Sequence, residues 1–338
     1  METKAEINNF KPLAVVTGAN GFVGSHLVEL LLARGYAVRC ILRKSSDTRW
    51  LAGLSVEIST CGLDDISALR NAFMGATLVF HIAGVVKSGT WHGFVQGNVT
   101  PTANVLEACV GNVAIQKILV TSSMAAHGSN RVGQPAEETQ PQKPVSEYGK
   151  SKQLQEQACA KYFDRLPITI VRPPAVYGAR DTEVLLFFQT LKQGLFPSAG
   201  VFEAQTLSLV HVTDLVRGML QAAESPKTAG ETYFLGSSPY EYGWNDIARI
   251  AGAHLQKKYL TLRLPHLIIW CVSAVSEVVA VFTKKTPTLN LKKYSEIIQP
   301  SWACSSAKAE RDFAYKPSVP LEKGIADTLN WYKKEGWL

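Results

Sequence analysis

The 338-residue sequence lacks any paired-cysteine pattern. Its six cysteines, at 40, 61, 109, 159, 271 and 304, form no C-x-x-C pair and no Cys/His cluster with metal-ligand spacing. A disulfide framework and a metal site are therefore not expected. Their neighbours are mostly apolar, so buried free thiols in a reducing compartment are the expectation. No block of five or six like charges occurs. The 35 basic and 28 acidic residues, net +7, are scattered, which disfavours a nucleic-acid partner and fits a solvated basic surface. There is no internal repeat, low-complexity tract or clean linker. Met1 to Lys11 holds no apolar run, so no secretory signal is expected and a cytoplasmic location follows.

Long hydrophobic runs are also scarce. The exception is Leu264 to Phe282, LPHLIIWCVSAVSEVVAVF, followed by Lys284 and Lys285. A bilayer span needs ~20 apolar residues, but Pro265, His266, two serines and Glu277 interrupt this one. We read it as one or two helices of a C-terminal lobe, touching a membrane surface or lining an apolar pocket, rather than as a span.

With 46% hydrophobic and 19% charged residues, the composition is that of a globular protein. Short apolar runs alternate with helical patterns through the first half, the signature of βαβ units on a parallel sheet. Strands are expected at 13–17, 37–42, 56–59, 77–82, 115–121 and 168–171. Helices are expected at 22–34, 65–74, 94–110 and 147–162, with Pro101 kinking the third or near its start. A Pro/Gln/Glu-rich loop should fill 128–144. Beyond Arg172 the pattern loosens into strands near 207–212 and 232–235 and helices near 213–223, 244–253 and 321–334. Residues 1–180 thus read as mainly a dinucleotide-binding domain of doubly wound α/β type. Residues 181–338 read as mainly a smaller α+β substrate lobe, interleaved with the first and not independently folding.

The first strand runs into Thr17-Gly18-Ala19-Asn20-Gly21-Phe22-Val23-Gly24. Gly18 allows a tight turn, Gly21 a close approach of backbone to a pyrophosphate, and Gly24 close helix–strand packing. The helix start then offers free N–H groups to phosphate. An acidic residue at the end of the second strand would grip a ribose 2′-OH, but Cys40-Ile41-Leu42-Arg43-Lys44 has none. Arg43 and Lys44 suit a 2′-phosphate, so NADP(H) is favoured, with NAD(H) the alternative.

Tyr148-Gly149-Lys150-Ser151-Lys152 opens a helix and puts Tyr148 and Lys152 one turn apart on one face. A free phenol titrates near ~10, and a nearby ammonium is expected to lower that value toward a useful acid/base range. The fifth strand ends in Thr121-Ser122-Ser123-Met124, and strand C-termini of a parallel sheet line the ligand crevice.

Seven motifs in this order resemble the extended short-chain dehydrogenase/reductases of the NAD-dependent epimerase/dehydratase superfamily. They are TGANGFVGSH (17–26), VFHIAG (79–84), NVTPTANVLEA (98–108), VTSSMAAHG (120–128), YGKSK (148–152), VRPPAVYG (171–178) and LVHVTDL (209–215). The likeness covers nearly the whole chain. It implies a catalytic Ser123, an acid/base Tyr148, and a Lys152 that also holds the nicotinamide ribose. By the same resemblance Ala83, Gly84 and Leu63 line the cofactor, as does Ser122; Asn98, counted with the cofactor site, matches a structural or relay Asn, and Pro173 and Pro174 approach the nicotinamide. A dimer is usual in similar proteins. Two departures stand out. Gly62 occupies the family's adenine-contacting Asp position, with Asp64 or Asp65 as substitutes. His127 replaces an aromatic; it is a second polar group near the substrate or, the favoured reading, a hydrogen-bonded core histidine.

Arg43, RPPAVYG and the ending KAERDFAYKPSVPLEKGIADTLNWY look most like the branch of dihydroflavonol 4-reductases and 3β-hydroxysteroid dehydrogenases. The expectation is an NADP(H)-dependent ketone reductase or alcohol dehydrogenase for a moderately apolar small molecule lined by 185–196 and 264–282. The alternative is a nucleotide-sugar epimerase or dehydratase with tightly bound NAD, for which Arg180, Lys192 and Arg217 are candidate diphosphate donors. A cofactor-sensing regulator without catalysis is the third reading, opposed by the intact Ser123, Tyr148 and Lys152.

Overall fold

The apolar runs of the first half form parallel strands because both faces of each are buried. In the computed structural model, which describes residues 11–200, 205–283 and 291–338, these are β1 (Leu13–Thr17), β2 (Ala37–Leu42), β3 (Glu57–Thr60), β4 (Ala76–His81), β5 (Lys117–Thr121) and β6 (Ile168–Arg172). A later strand, β7 (Thr232–Phe234), returns to the same sheet beside β6. The order across the sheet is 3-2-1-4-5-6-7, all parallel. The chain leaves β1 toward β2 and β3, then crosses back to enter β4 on β1's other side. That reversal opens a crevice at the carboxyl ends of β1 and β4, where open α/β sheets take ligands.

The alternation along β1 shows how the layers are made. Ala14 and Val16 join one apolar cluster, packed under helices Phe22–Ala33 and Val212–Glu224. Val15 points the other way, into a cluster shared with helices Ile66–Ala72, Thr100–Cys109 and Glu147–Ala160. A third cluster, including Phe188, Leu191, Phe196, Ile247 and Tyr332, joins helices Leu185–Lys192, Trp244–Leu255 and Leu321–Lys334.

Some elements differ from expectation for physical reasons. The helix expected at 94–110 is a turn Trp91–Phe94, a π-helical stretch Val95–Val99, and an α-helix Thr100–Cys109. Pro101 has no N–H to donate, and the register widens just before it. The strand expected near 207–212 is split at buried Ser208. Thr206–Leu207 joins Tyr242–Gly243 and Ser301–Trp302, whereas Leu209–His211 pairs with Ala175–Tyr177. The 264–282 stretch is one helix, His266–Thr283, preceded by a strand Leu260–Leu264 that runs parallel to Leu195–Ala199. Among the described residues no helix is long and apolar enough to cross a membrane. Of the six cysteines, all free, Cys61 is half-buried and Cys271 is exposed, so the buried-thiol expectation fails at Cys271.

Candidate active site

The glycine turn sits on the switch-point crevice. Gly18 has φ +72°, and a Cβ there would lie 2.7 Å from the Ala83 backbone N at the end of β4. Only glycine satisfies both demands. At Gly24 a Cβ would collide with the Gly18 carbonyl, so the helix start closes onto the turn. Gly21 is the N-cap of Phe22–Ala33, with no side-chain cap and no acidic residue in the first turn. Phe22 and Val23 open that turn, whose N–H groups and dipole are left available to an anion. These features fit the pyrophosphate of a dinucleotide. Asn20 Nδ2 donates to Asp47 O at 3.1 Å, tying this turn to the loop after β2, where Arg43 and Lys44 are exposed and make no ion pair among the described residues. After β3, a side chain at Gly62 would meet the Asp64 carboxylate, which fills that space, whereas Asp65 caps the next helix through Ala68 N. Of the two substitutes, Asp64 is thus the one whose carboxylate fills the space beside Gly62. The Leu63 carbonyl accepts from Asn104 Nδ2 at 2.9 Å.

The catalytic candidates converge from two elements. Ser123 follows β5 and caps the short helix Met124–His127, its Oγ accepting from Ala125 N at 3.1 Å. Tyr148 lies in the first turn of Glu147–Ala160, whose N-cap Ser146 accepts from Gly149 N and donates to Glu296 at 2.6 Å. The Ser123 hydroxyl faces the Tyr148 phenol closely enough to pull its pKa down. Burial pushes that phenol up to about 12, with Ser123 opposing and Glu296 and Glu183 adding to the rise. The expected lowering by Lys152 is not the governing effect. The Lys152 ammonium is turned to Thr121 O at 2.9 Å and Gln155 Oε1 at 2.8 Å, and its own pKa is brought down to about 8 by burial, against an upward pull from Glu156. Tyr148 therefore starts protonated, as a proton donor must.

A hydrogen-bonded chain unread in the sequence holds Lys152. Gln155 Nε2 donates to Thr102 Oγ1, His81 Nε2 meets the same oxygen, and His81 Nδ1 meets Thr17 Oγ1, each at 2.8 Å. Thr102 gives its single proton to Asn98 O, so it must accept from His81, which makes His81 the Nε2–H tautomer and Thr17 the donor to Nδ1. Burial drives His81 down to about 3, keeping it neutral. Asn98, fully buried, clamps Val85 through both amide atoms and donates to Ser151 Oγ at 2.9 Å. A Cβ on Gly84 would crowd Asn98 Oδ1 and the Lys152 ammonium, so this residue must be small. Asn98 and Gly84 are thus seated beneath Lys152.

Ser122 turns inward, giving its hydroxyl to Glu156 Oε1 at 2.5 Å. Glu156 also accepts from Gln142 Nε2 and, bidentately, from Arg172 at 2.9 and 2.6 Å; both members of this ion pair are buried. Ser123, not Ser122, is accordingly the hydroxyl facing Tyr148. Thr121 Oγ1, at the same strand end, is buried without a partner among the described residues. Pro173 is buried after β6, its carbonyl accepting from Met124 N at 2.9 Å. His127 is a buried histidine packed edge-on to Phe234, its pKa lowered by burial; its Nδ1 meets Gly128 O at 3.4 Å, but its Nε2 has no partner among the described residues, so it is core-packed but only half hydrogen-bonded.

Two of the three candidate diphosphate donors are otherwise engaged. Arg180 donates to Ser25 Oγ and Glu29 and lies over the Trp50 ring. Arg217 bonds Asp214, Ser318 Oγ and Lys316 O. Lys192 is exposed. The apolar lining expected from 185–196 is partly withdrawn, since Phe188, Leu191 and Phe196 belong to the third cluster.

The chain is similar throughout to known proteins. The ceramide reductase of Caulobacter vibrioides is 28% identical over 96% of each chain. The type 7 3 beta-hydroxysteroid dehydrogenase of Mus musculus is 29% identical over 94% of each. The crystal structure of gox2253 superposes with a TM-score of 0.81 at 27% identity, covering 97% of this chain and all of that one. Residues 14–236 match the model of the NAD dependent epimerase/dehydratase family. With that match laid over a glycine turn, a switch-point crevice and a Ser–Tyr–Lys cluster, the chain belongs to the NAD-dependent epimerase/dehydratase family, as an oxidoreductase of the extended short-chain type.

Proposed function

We propose that this protein reduces a ketone on an apolar, lipid-like molecule to the alcohol, or catalyses the reverse, using NADP(H) in preference to NAD(H). A nicotinamide dinucleotide, when bound, supplies or accepts the hydride. The turn 18–24, Ala83 and Lys152 would hold it, and Arg43 and Lys44 would meet a 2′-phosphate. Ser123 orients the substrate oxygen. Tyr148 delivers a proton to that oxygen as it gains negative charge, and the Ser123 hydroxyl stabilises the phenolate left behind.

The observation that carries this reading is the convergence of Ser123, at the carboxyl edge of β5, with Tyr148 and Lys152 on the first turns of Glu147–Ala160, in a fold whose Gly18 turn closes on Ala83. The engagement of Arg180 and Arg217 in ion pairs weighs against a nucleotide-sugar diphosphate. Relatives named for ceramide and hydroxysteroids support an apolar substrate.

The test is loss of NADPH absorbance with a panel of long-chain and steroidal ketones, beside interconversion of UDP-sugars. NADPH consumption with apolar ketones supports the proposal. Tightly co-purifying NAD with sugar interconversion and no net coenzyme turnover would replace it.

A further inference from the structure

Helix His266–Thr283 is inverted relative to an ordinary surface helix. Ile269 and Ser273 face the protein, and Ser273 satisfies its hydroxyl on the Ile269 carbonyl at 2.7 Å. The outward positions are Leu267 (71% exposed), Ile268, Trp270, Cys271, Val272 and Val275 (63% exposed). Ile268, Val272 and Val275 form one stripe at i, i+4 and i+7. The preceding strand continues the theme. Its exposed Leu260 and Leu262 pair in register with exposed Leu195 and Pro197 on the neighbouring strand, so one face of that ribbon is apolar too. An apolar surface of this extent marks a docking face.

Charge says what docks. Lys257, Lys258 and Arg263 are exposed at one end and make no ion pair among the described residues, and Lys284-Lys285 follow the helix in the sequence. A second copy would bring these cations against their own kind, whereas anionic headgroups complement them. Among the described residues it is not long and apolar enough to cross.

The geometry points to an anionic phospholipid bilayer as the occupant: the helix lies in the interface with Leu267, Ile268, Trp270, Val272 and Val275 in the acyl boundary and Lys257, Lys258 and Arg263 among the headgroups. This deepens the lipid reading of the substrate. Helix His266–Thr283 packs against Leu291–Ile297, which supplies Ser295 to a cavity of about 480 Å³ at the start of the catalytic helix, lined also by Trp91, Pro144, Val145, Ser146, Glu147 and Lys150. One short helix thus lies between the bilayer contact and this cavity, whose lining includes the residues that open the catalytic helix.

The experiment is flotation of the full chain with vesicles of phosphatidylcholine alone or with 30% phosphatidylglycerol, without coenzyme or substrate. Wild type should float with the anionic vesicles, more weakly with the neutral ones, and release as salt rises. I268E/V272E/V275E should weaken partitioning roughly 100-fold. K257E/K258E/R263E should weaken it about 100-fold or more on anionic vesicles only. Because the substituted side chains are exposed, both variants should keep wild-type turnover of a short, water-soluble ketone, and that assay separates failure of the membrane inference from failure of the reductase reading. Wild type that stays soluble with both vesicles, or an apolar-face variant whose only change is loss of self-association in sedimentation, would overturn the inference.

Discussion

Glu156→Gln tests whether the buried ion pair beneath the active site supports both fold and chemistry. The Glu156 carboxylate receives four donors: Ser122 Oγ and Gln142 Nε2 at 2.5 Å each, and Arg172 Nε and Nη2 at 2.9 and 2.6 Å. Glu156 and Arg172 side chains are only 7% and 6% exposed. Either orientation of a Gln amide would set its NH2 against one of the Arg172 donors. The guanidinium would also lose its charge partner, and its Nη1 already has no partner among the described residues. Glu138 senses the same cation, but its carboxylate already accepts from Phe234 N. Breaking a buried pair on one side costs about 3–5 kcal/mol, a large part of a domain's stability. The variant should unfold at lower urea with an unchanged m-value. Glu156→Leu with Arg172→Met should recover much of the loss, because the desolvation of both charges is removed. A second readout is chemical. Burial lowers Lys152 to about 8 while Glu156 pulls it up, so Glu156→Gln should move the alkaline limb of the pH–rate profile to lower pH. A stability change under about 1 kcal/mol together with an unmoved alkaline limb would refute the reasoning.

Four further expectations follow from the same geometry. Tyr148→Phe should cut turnover roughly 100- to 10,000-fold while coenzyme binding, read by NADPH fluorescence, stays within about twofold; near-normal turnover would remove the phenol from the mechanism. Lys152 holds its proton only below about 8 when folded but up to its ordinary 10.5 when unfolded, so the unfolded chain binds more protons between these values. Wild-type stability should therefore rise by about 3 kcal/mol across that window from this group, with the penalty complete below pH 8, and Lys152→Met should flatten that rise in urea melts taken at each pH. Arg43→Ala should weaken NADPH about tenfold or more and leave NADH nearly unchanged in direct titrations, since a charge-assisted bond to phosphate is lost; equal losses would end the 2′-phosphate assignment. Gly18→Ala, at φ +72° and against Ala83, should lower the melting temperature and abolish coenzyme binding, and a variant with wild-type NADPH affinity would show that the turn is not the cradle.

The sheet and the glycine turn were legible in sequence because each follows from a local rule: buried β runs, a strand–turn–helix context, a helix ended by Gly35. Tyr148 and Lys152 were legible through spacing. Their electrostatics were not, because burial and the turning of Lys152 toward Thr121 and Gln155 depend on packing that spacing does not encode. Gln155, Glu156, Thr102 and His81 were missed for a related reason. A signal existed in Glu147–Ala160, where the residues facing the sheet, Ser151, Lys152, Gln155 and Glu156, are polar rather than apolar. A helix that must pack yet offers polar residues on its inner face announces a buried hydrogen-bonded network. The lobe was harder to read because its strands are two to five residues long and are set by partners distant in sequence, as in Ser301–Trp302 beside Thr206–Leu207. Helix His266–Thr283 misled the pocket reading, since an apolar run looks the same whether it faces inward or outward.

The widened turn at Val95–Val99 constrains how this chain can vary. Asn98 leaves that turn aimed at both Val85 and Ser151, and a side chain at Gly97 would strike Val85. Removing one residue would restore ordinary α-helical winding but swing the preceding side chains by about 100° around the axis, unhooking the Asn98 amide from the β4 loop. Point changes on the outer side of this helix should be tolerated, whereas single-residue deletions should not. Length, more than residue identity, is what this stretch must preserve.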